Sequence, residues 1–174
     1  MTCPRRKFFC GALLASCVAL SSRAQEAVVQ DEWKGCSDPE SSFVLRYPPS
    51  LIRSIAPGAT ACSFQTADSD FNLEVVVEPN AAREGETLEN RMEKEMDLLG
   101  GTVTYKRKEA TWFVLSGVTS NGTEYYRKLY TKGPRWVSLH MTYPHARTDK
   151  FNLWVTRIEK SFVPFTEREE LAAE

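Results

Sequence analysis

The stretch Thr111–Tyr143, TWFVLSGVTSNGTEYYRKLYTKGPRWVSLHMTY, decides the fold. It holds three runs rich in β-branched and aromatic residues, residues 111–118, 123–130 and 135–143, separated by short turn-forming sequences. Asn121-Gly122 between the first two is the strongest short hairpin motif, because both residues tolerate positive φ. Thr131-Lys132-Gly133-Pro134 closes the next turn in the same way. Within the last run Val137, Leu139, Met141 and Tyr143 alternate with Trp136, Ser138, His140 and Thr142, so the run presents two faces, the second more polar. These runs predict an antiparallel meander. Asn121-Gly122-Thr123 also spells a glycosylation sequon, but the turn reading accounts for the same residues more directly.

Upstream, residues 102–108 add a fourth β-like run, and before it the period changes. In ETLENRMEKEMDLLGG (residues 86–101) Leu88, Met92, Met96 and Leu99 recur at helical spacing, with Thr87 as N-cap and Gly100-Gly101 as the stop. Glu89, Arg91, Glu93, Lys94 and Glu95 fall to its other faces, which predicts an amphipathic helix lying on a core. A methionine pair on such a stripe is packing rather than a copper site. Earlier still, FVLRYPP from Phe43 reads as a strand stopped by Pro48-Pro49. TACSFQT (residues 60–66) and FNLEVVVEP (residues 71–79) read as a hairpin across Asp68, Ser69 and Asp70. Downstream, TDKFNLWVTRIEKSF (residues 148–162) places Phe151, Trp154, Val155, Ile158 and Phe162 on one helical face. Asp149 stands at its start and Arg157 and Lys160 near its end, as the helix dipole favours. The order is three strands, a helix, four strands, a helix: an α+β fold in which helices pack on an antiparallel sheet of six to seven strands.

The 174 residues, 42% of them hydrophobic, are enough for one domain with a real core. Residues 1–24 have a different character: Arg5-Arg6-Lys7, an apolar run from Phe8 to Leu20, then Ser22-Arg23-Ala24. That is the plan of a secretory signal, and the run of about 13 residues falls short of the roughly 20 that span a bilayer. Cleavage after Ala24 is the expected fate and leaves no transmembrane span in the mature chain. Leu14-Ala15-Ser16-Cys17 also fits a lipobox, whose fate is a lipid anchor on Cys17. The RRKFF motif resembles a twin-arginine leader and leaves the export route open. Residues 25–42 are polar and read as a lead-in, residues 43–165 as the domain, and residues 166–174 as an acidic tail.

Removal of the leader takes Arg5, Arg6, Lys7 and Arg23 from the 22 basic residues and none from the 23 acidic ones, so the balance becomes 18 against 23. Nucleic acid is therefore an unsuitable partner. Of the five cysteines, Cys3, Cys10 and Cys17 leave with the leader. Cys36 and Cys62 remain and are expected to pair in an exported protein. Such a bridge stabilises by roughly 3 to 4 kcal/mol in the chain-entropy account.

Several segments together, FVLRYPPSL from Phe43, WFVLSG from Trp112, EYYRKLY from Glu124, and LHMTYP from Leu139 leading into FNLWVTRIEKSFVP from Phe151, resemble the PsbP-like superfamily, which includes small exported bacterial proteins. The resemblance spans most of residues 43–165. It implies an α/β/α sandwich and mostly non-catalytic members that bind or stabilise larger assemblies, and it carries no catalytic residue over to this chain.

The residues offer little chemistry. His140 and His145 stand five positions apart across a change of secondary structure, unlike the i, i+4 pair of a helical zinc site, and a metal site from His140, His145 and Asp149 demands that the turn fold back. The alternative is one sheet histidine and one turn histidine. Ser116 in VLSGV lacks the first glycine of a nucleophile elbow and lies within a strand. The chain has no G-x-x-x-x-G-K-[ST], G-x-G-x-x-G, C-x-x-C or H-E-x-x-H, hence no expected cofactor, metal or catalytic residue. What remains is an aromatic and basic surface: Trp112, Tyr126, Tyr130, Trp136 and His140 on neighbouring strands, with Lys106, Lys108, Lys128 and Arg135 close by. Aromatic residues favour interface cores, so on a face left open by the helices these residues would form a docking patch; under covered faces they are core. The expectation is a non-enzymatic exported protein that binds an envelope protein, glycan or lipid. The alternatives are a hydrolase or metal enzyme at His140 and His145, and a lipoprotein anchored through Cys17.

Overall fold

The structure, a computed structural model, describes residues 32–38, 43–54, 60–78 and 85–166. The leader, its cleavage point, the lipobox at Cys17 and nearly all of the acidic tail lie outside these residues.

The chain runs β1 (Lys34–Asp38), β2 (Phe43–Tyr47), β3 (Ile52–Arg53), β4 (Thr60–Gln65), β5 (Asn72–Glu78), α1 (Leu88–Leu99), β6 (Thr102–Lys108), β7 (Trp112–Val118), β8 (Thr123–Lys132), β9 (Arg135–Pro144) and α2 (Thr148–Ser161). A 3-10 turn, His145–Arg147, joins β9 to α2. Seven strands form an antiparallel sheet in the order β3-β4-β5-β9-β8-β7-β6, and β1 pairs with β2 in a separate two-stranded sheet.

The alternation along β9 separates two cores. Val137, Leu139, Met141 and Tyr143 point to one face, where they pack with Phe64, Leu73 and Val75 of the sheet, Phe43 and Leu45 of β2, and Phe151, Val155 and Ile158 of α2. Trp136 points to the other face and packs with Phe113, Leu115, Tyr125 and Leu129 beneath Met92 of α1. The result is the expected α/β/α arrangement. Aromatic rings concentrate under α2, where Phe71 meets Phe151 at 5.1 Å and Trp154 at 5.5 Å between centroids.

The helices form where their patterns require. Thr87 caps α1 by accepting the Asn90 N–H at 3.1 Å, and Gly100 ends the helix at φ 60°. On α2, Asp149 lies in the first turn and Lys160 in the last. Arg157 instead stacks on Trp33, 4.2 Å from the ring centroid.

Four details differ from the sequence reading. Within the polar lead-in, residues 34–38 form β1, and the short β3 adds an edge to the sheet, so the described residues hold nine strands. The polar KGCSD segment becomes a strand because β2 offers its edge and a bridge holds it there. That bridge, Cys36–Cys62, is the expected disulfide and ties β1 to β4 of the main sheet. The Asn121-Gly122 hairpin exists, but only Gly122 has positive φ (80°), and its N–H donates to the Thr119 carbonyl at 3.0 Å, so the turn spans residues 119–122. Finally, Glu95, assigned to an outer face of α1, is buried at 6% exposure.

Candidate binding surface

On the α2 side of the sheet, the end formed by β6, β7 and β8 carries an aromatic and cationic cluster. The register sets it: Trp112 stands opposite Tyr130, Val114 between Arg107 and Lys128, and Ser116 between Tyr105 and Tyr126. Side chains in facing positions of antiparallel strands touch, so these rows become contacts. Trp112 lies between two cations, with the Lys128 Nζ 4.6 Å and the Arg107 guanidinium 5.5 Å from its ring centroid. Lys128 also lies 5.2 Å from the Tyr130 ring, and Tyr130 reaches back to Phe162 in the core at 5.8 Å. Such contacts are attractive because the ring face is electron-rich, and they strengthen as water is excluded.

Lys128 ties the cluster to α2. Its Nζ donates to Glu159 Oε1 of α2 at 2.7 Å. Burial disfavours its charge, but the hydrogen bonds with Glu159 and Tyr130 outweigh that cost and raise its pKa above lysine's ordinary value. Burial, with the Glu159 charge behind it, pushes the Tyr126 phenol far above its ordinary range, so Tyr126 serves as a neutral wall. Tyr105 stands at the rim, half exposed.

The other two residues of the expected patch lie elsewhere. Trp136 is buried under α1 with 2% exposure, and the Arg91 guanidinium lies 5.6 Å from its ring centroid. His140 shares that face, opposite Glu74 on β5 and Arg127 on β8. Trp112, Tyr126 and Tyr130 therefore come together, while Trp136 and His140 belong to the opposite side of the sheet. Of the basic residues, Lys128 joins the cluster; Lys106 and Lys108 point to the α1 face; Arg135 stacks on Phe165 at 5.8 Å.

Around Trp136 and His140 runs an ion network that the sequence reading did not single out. Arg91 holds Glu78 through two hydrogen bonds, of 2.6 and 3.2 Å, and Glu95 through a third of 3.0 Å. Glu95 also pairs with Arg127, so one buried carboxylate bridges a helix and a strand. Lys94 donates to Glu86 at 2.7 Å, and this bond leads the causes that hold the Glu86 carboxyl below its ordinary pKa. The missed clue was positional: Glu95 lies three residues after Met92, inside the apolar stripe.

The histidines do not converge. Burial, then the charges of Arg127 and Arg91, lower the His140 pKa to about 3, so its ring is neutral at ordinary pH. His145 is exposed at the corner before α2, where its Nδ1–H donates to Glu124 Oε1 at 2.6 Å and its backbone N–H to the Gly122 carbonyl at 2.9 Å. Thr148 Oγ1 donates to the His145 carbonyl at 2.7 Å. Together these bonds fasten the β7–β8 turn to the start of α2. Ser116 sits within β7, facing Tyr105 and Tyr126.

No family model and no curated protein matches the sequence. Solved structures do match its fold. The solution structure of cyanobacterial PsbP (CyanoP) from Synechocystis sp. PCC 6803 is 15% identical, covers 80% of this chain and 96% of its own, and superposes with a TM-score of 0.59. A crystal structure from Bacteroides thetaiotaomicron is 18% identical over 77% of this chain, with a TM-score of 0.50, and only 49% of that longer chain is matched. A Pseudomonas aeruginosa protein of unknown function, PA94, aligns at 10% identity with a TM-score of 0.43. The fold is PsbP-like.

Proposed function

We propose that this protein is an exported, non-enzymatic binding module whose Trp112 surface docks a component of the cell envelope. The observation that carries the reading is the cluster around Trp112, a half-buried indole between Arg107 and Lys128 at the sheet end. Trp, Tyr and Arg are the residues most often found at energetic centres of interfaces, because they offer large rigid contact area and strong polar groups together. Held by its neighbours, Trp112 loses little side-chain freedom on docking. The leader-like residues 1–24 and the Cys36–Cys62 bridge favour an oxidising compartment as the place of action. The fold adds support only as analogy, since one fold serves many functions.

Crosslinked capture from envelope fractions tests the reading, with the wild-type chain, Trp112→Ala and a heat-denatured control side by side. The expected result is a partner recovered by the wild type and depleted roughly tenfold by the variant, as for loss of an interface anchor. Recovery no better than with denatured protein, or equal with and without Trp112, overturns it.

A further inference from the structure

The strand β6 closes one end of the sheet, and no described strand pairs with its outer edge. All its residues but Val103 are exposed. The Glu109 N–H donates to the Trp112 carbonyl at 2.8 Å, which sets the alternation of the β6–β7 ladder. Glu109–Trp112, Arg107–Val114 and Tyr105–Ser116 are then the hydrogen-bonded pairs, and Lys106 and Lys108 turn their backbone N–H and C=O groups outward. The positions whose backbones are open to a new strand are thus lysines. Lysine on an edge deters indiscriminate pairing, and the same charge selects among strands that do pair.

The basic residues here already accept carboxylates from their own chain. Arg107 pairs with Glu109 at 2.6 Å and Lys108 with Glu89 at 2.5 Å, while Lys106 has no carboxylate partner among the described residues. Both pairs are solvent-exposed, and exposed ion pairs contribute little net stability, so a competing carboxylate displaces them readily.

On the reading that this end of the sheet binds a partner, we propose that the partner is a protein segment in extended conformation that adds to β6 as an eighth strand and carries acidic residues at alternate positions. Main-chain hydrogen bonds to Lys106 and Lys108 set the register, and residues directly opposite them project to the same face, beside the two ammonium groups. The residue between projects to the other face, next to Arg107, Tyr105 and the Trp112 cluster. An anionic glycan has no strand of amides to offer this edge.

The test uses the full chain, a synthetic peptide of alternating Glu and Thr, and its Gln-for-Glu counterpart. Residue-resolved amide exchange and titration at two salt concentrations are the readouts. The expected result is binding that weakens with salt, slowed exchange at Lys106 and Lys108, and roughly tenfold weaker binding of the Gln peptide or of a Lys106→Glu, Lys108→Glu double variant. Both lysines are exposed and Lys108 gives up only a solvent-exposed pair with Glu89, so the variant should stay folded and unfold cooperatively. Absence of binding, binding without protection of those amides, or binding indifferent to the double variant overturns the proposal. An envelope partner that depends on Trp112 but ignores the double variant overturns this inference while leaving the proposed function standing.

Discussion

His140 is a half-buried base whose environment keeps it neutral, and its consequence is a pH dependence of known sign. Its pKa falls from an ordinary 6.5 to about 3 in the fold, first through burial and then through Arg127 and Arg91. The unfolded chain therefore binds more protons below pH 6.5, so this residue contributes stability at neutral pH that is lost as pH falls toward 3. In wild type the slope approaches about 1.4 kcal/mol per pH unit. Urea denaturation between pH 6.5 and 5, above most carboxylate titration, should show this slope and its loss in His140→Gln; an unchanged slope refutes the assignment. A second prediction concerns Glu95, which bridges Arg91 and Arg127 from a buried site. Glu95→Ala leaves Arg127 without that carboxylate under α1 and should cost about 3 kcal/mol, because removing one partner strands the other charge. Replacing both residues, Glu95→Met with Arg127→Met, should recover most of that loss in the same denaturation experiment. Neither role was legible beforehand. Periodicity placed His140 on the correct face, but its neutrality depends on which charges β8 and α1 bring to it.

Elements differ in how firmly the sheet holds them, and β1 is the weakest case. It is exposed along most of its length, whereas Phe43 and Leu45 of β2 are fully buried. Its hold on the body comes from the β2 ladder, the Cys36–Cys62 bridge and Trp33 on Arg157. Reduction, or the pair Cys36→Ser with Cys62→Ala, should lower stability by roughly 3 to 4 kcal/mol. Amide exchange should then show residues 34–38 opening first while β8 and β9 stay protected; uniform loss across the sheet would contradict this order. At the β6–β7 junction, a Cβ on Gly117 would press into the Thr102 carbonyl and lie 2.6 Å from the Tyr125 hydroxyl. Gly117→Ala should therefore strip protection from β6 amides before those of β5, a pattern the same exchange experiment reads. The sequence reading located α1 through Thr87 and Gly100, and located β4 through β9 through alternation and turns. It passed over β1 and β3 because neither carries a pattern of its own: KGCSD and Ile52-Arg53 are strands only because a neighbour pairs with them.

At the scale of the whole molecule, a seven-stranded sheet lies between α1 on one side and α2 with the β1–β2 pair on the other. α2 packs over β9 and β2, whereas α1 lies over β7 and β8 with Val103 of β6 against its core, so the proposed binding surface is on the α2 side of the β6 end. For the exported form, mass spectrometry of the mature protein should find Gln25 at the N-terminus; a diacylglyceryl group on Cys17 would assign the lipoprotein fate instead. The amino-acid sequence by itself determined the order of β2 and of the elements from β4 to α2, the α+β class, the pairing of Cys36 with Cys62 and the two faces of β9. These follow from local periodicity, capping and chain composition, which neighbours along the chain specify. Only the tertiary structure decided that Trp112, Tyr126 and Tyr130 assemble while Trp136 and His140 sit across the sheet, and that Glu95 is an internal ion. Those facts depend on the register between distant strands and on where each helix lands, which are set by packing among residues far apart in the chain.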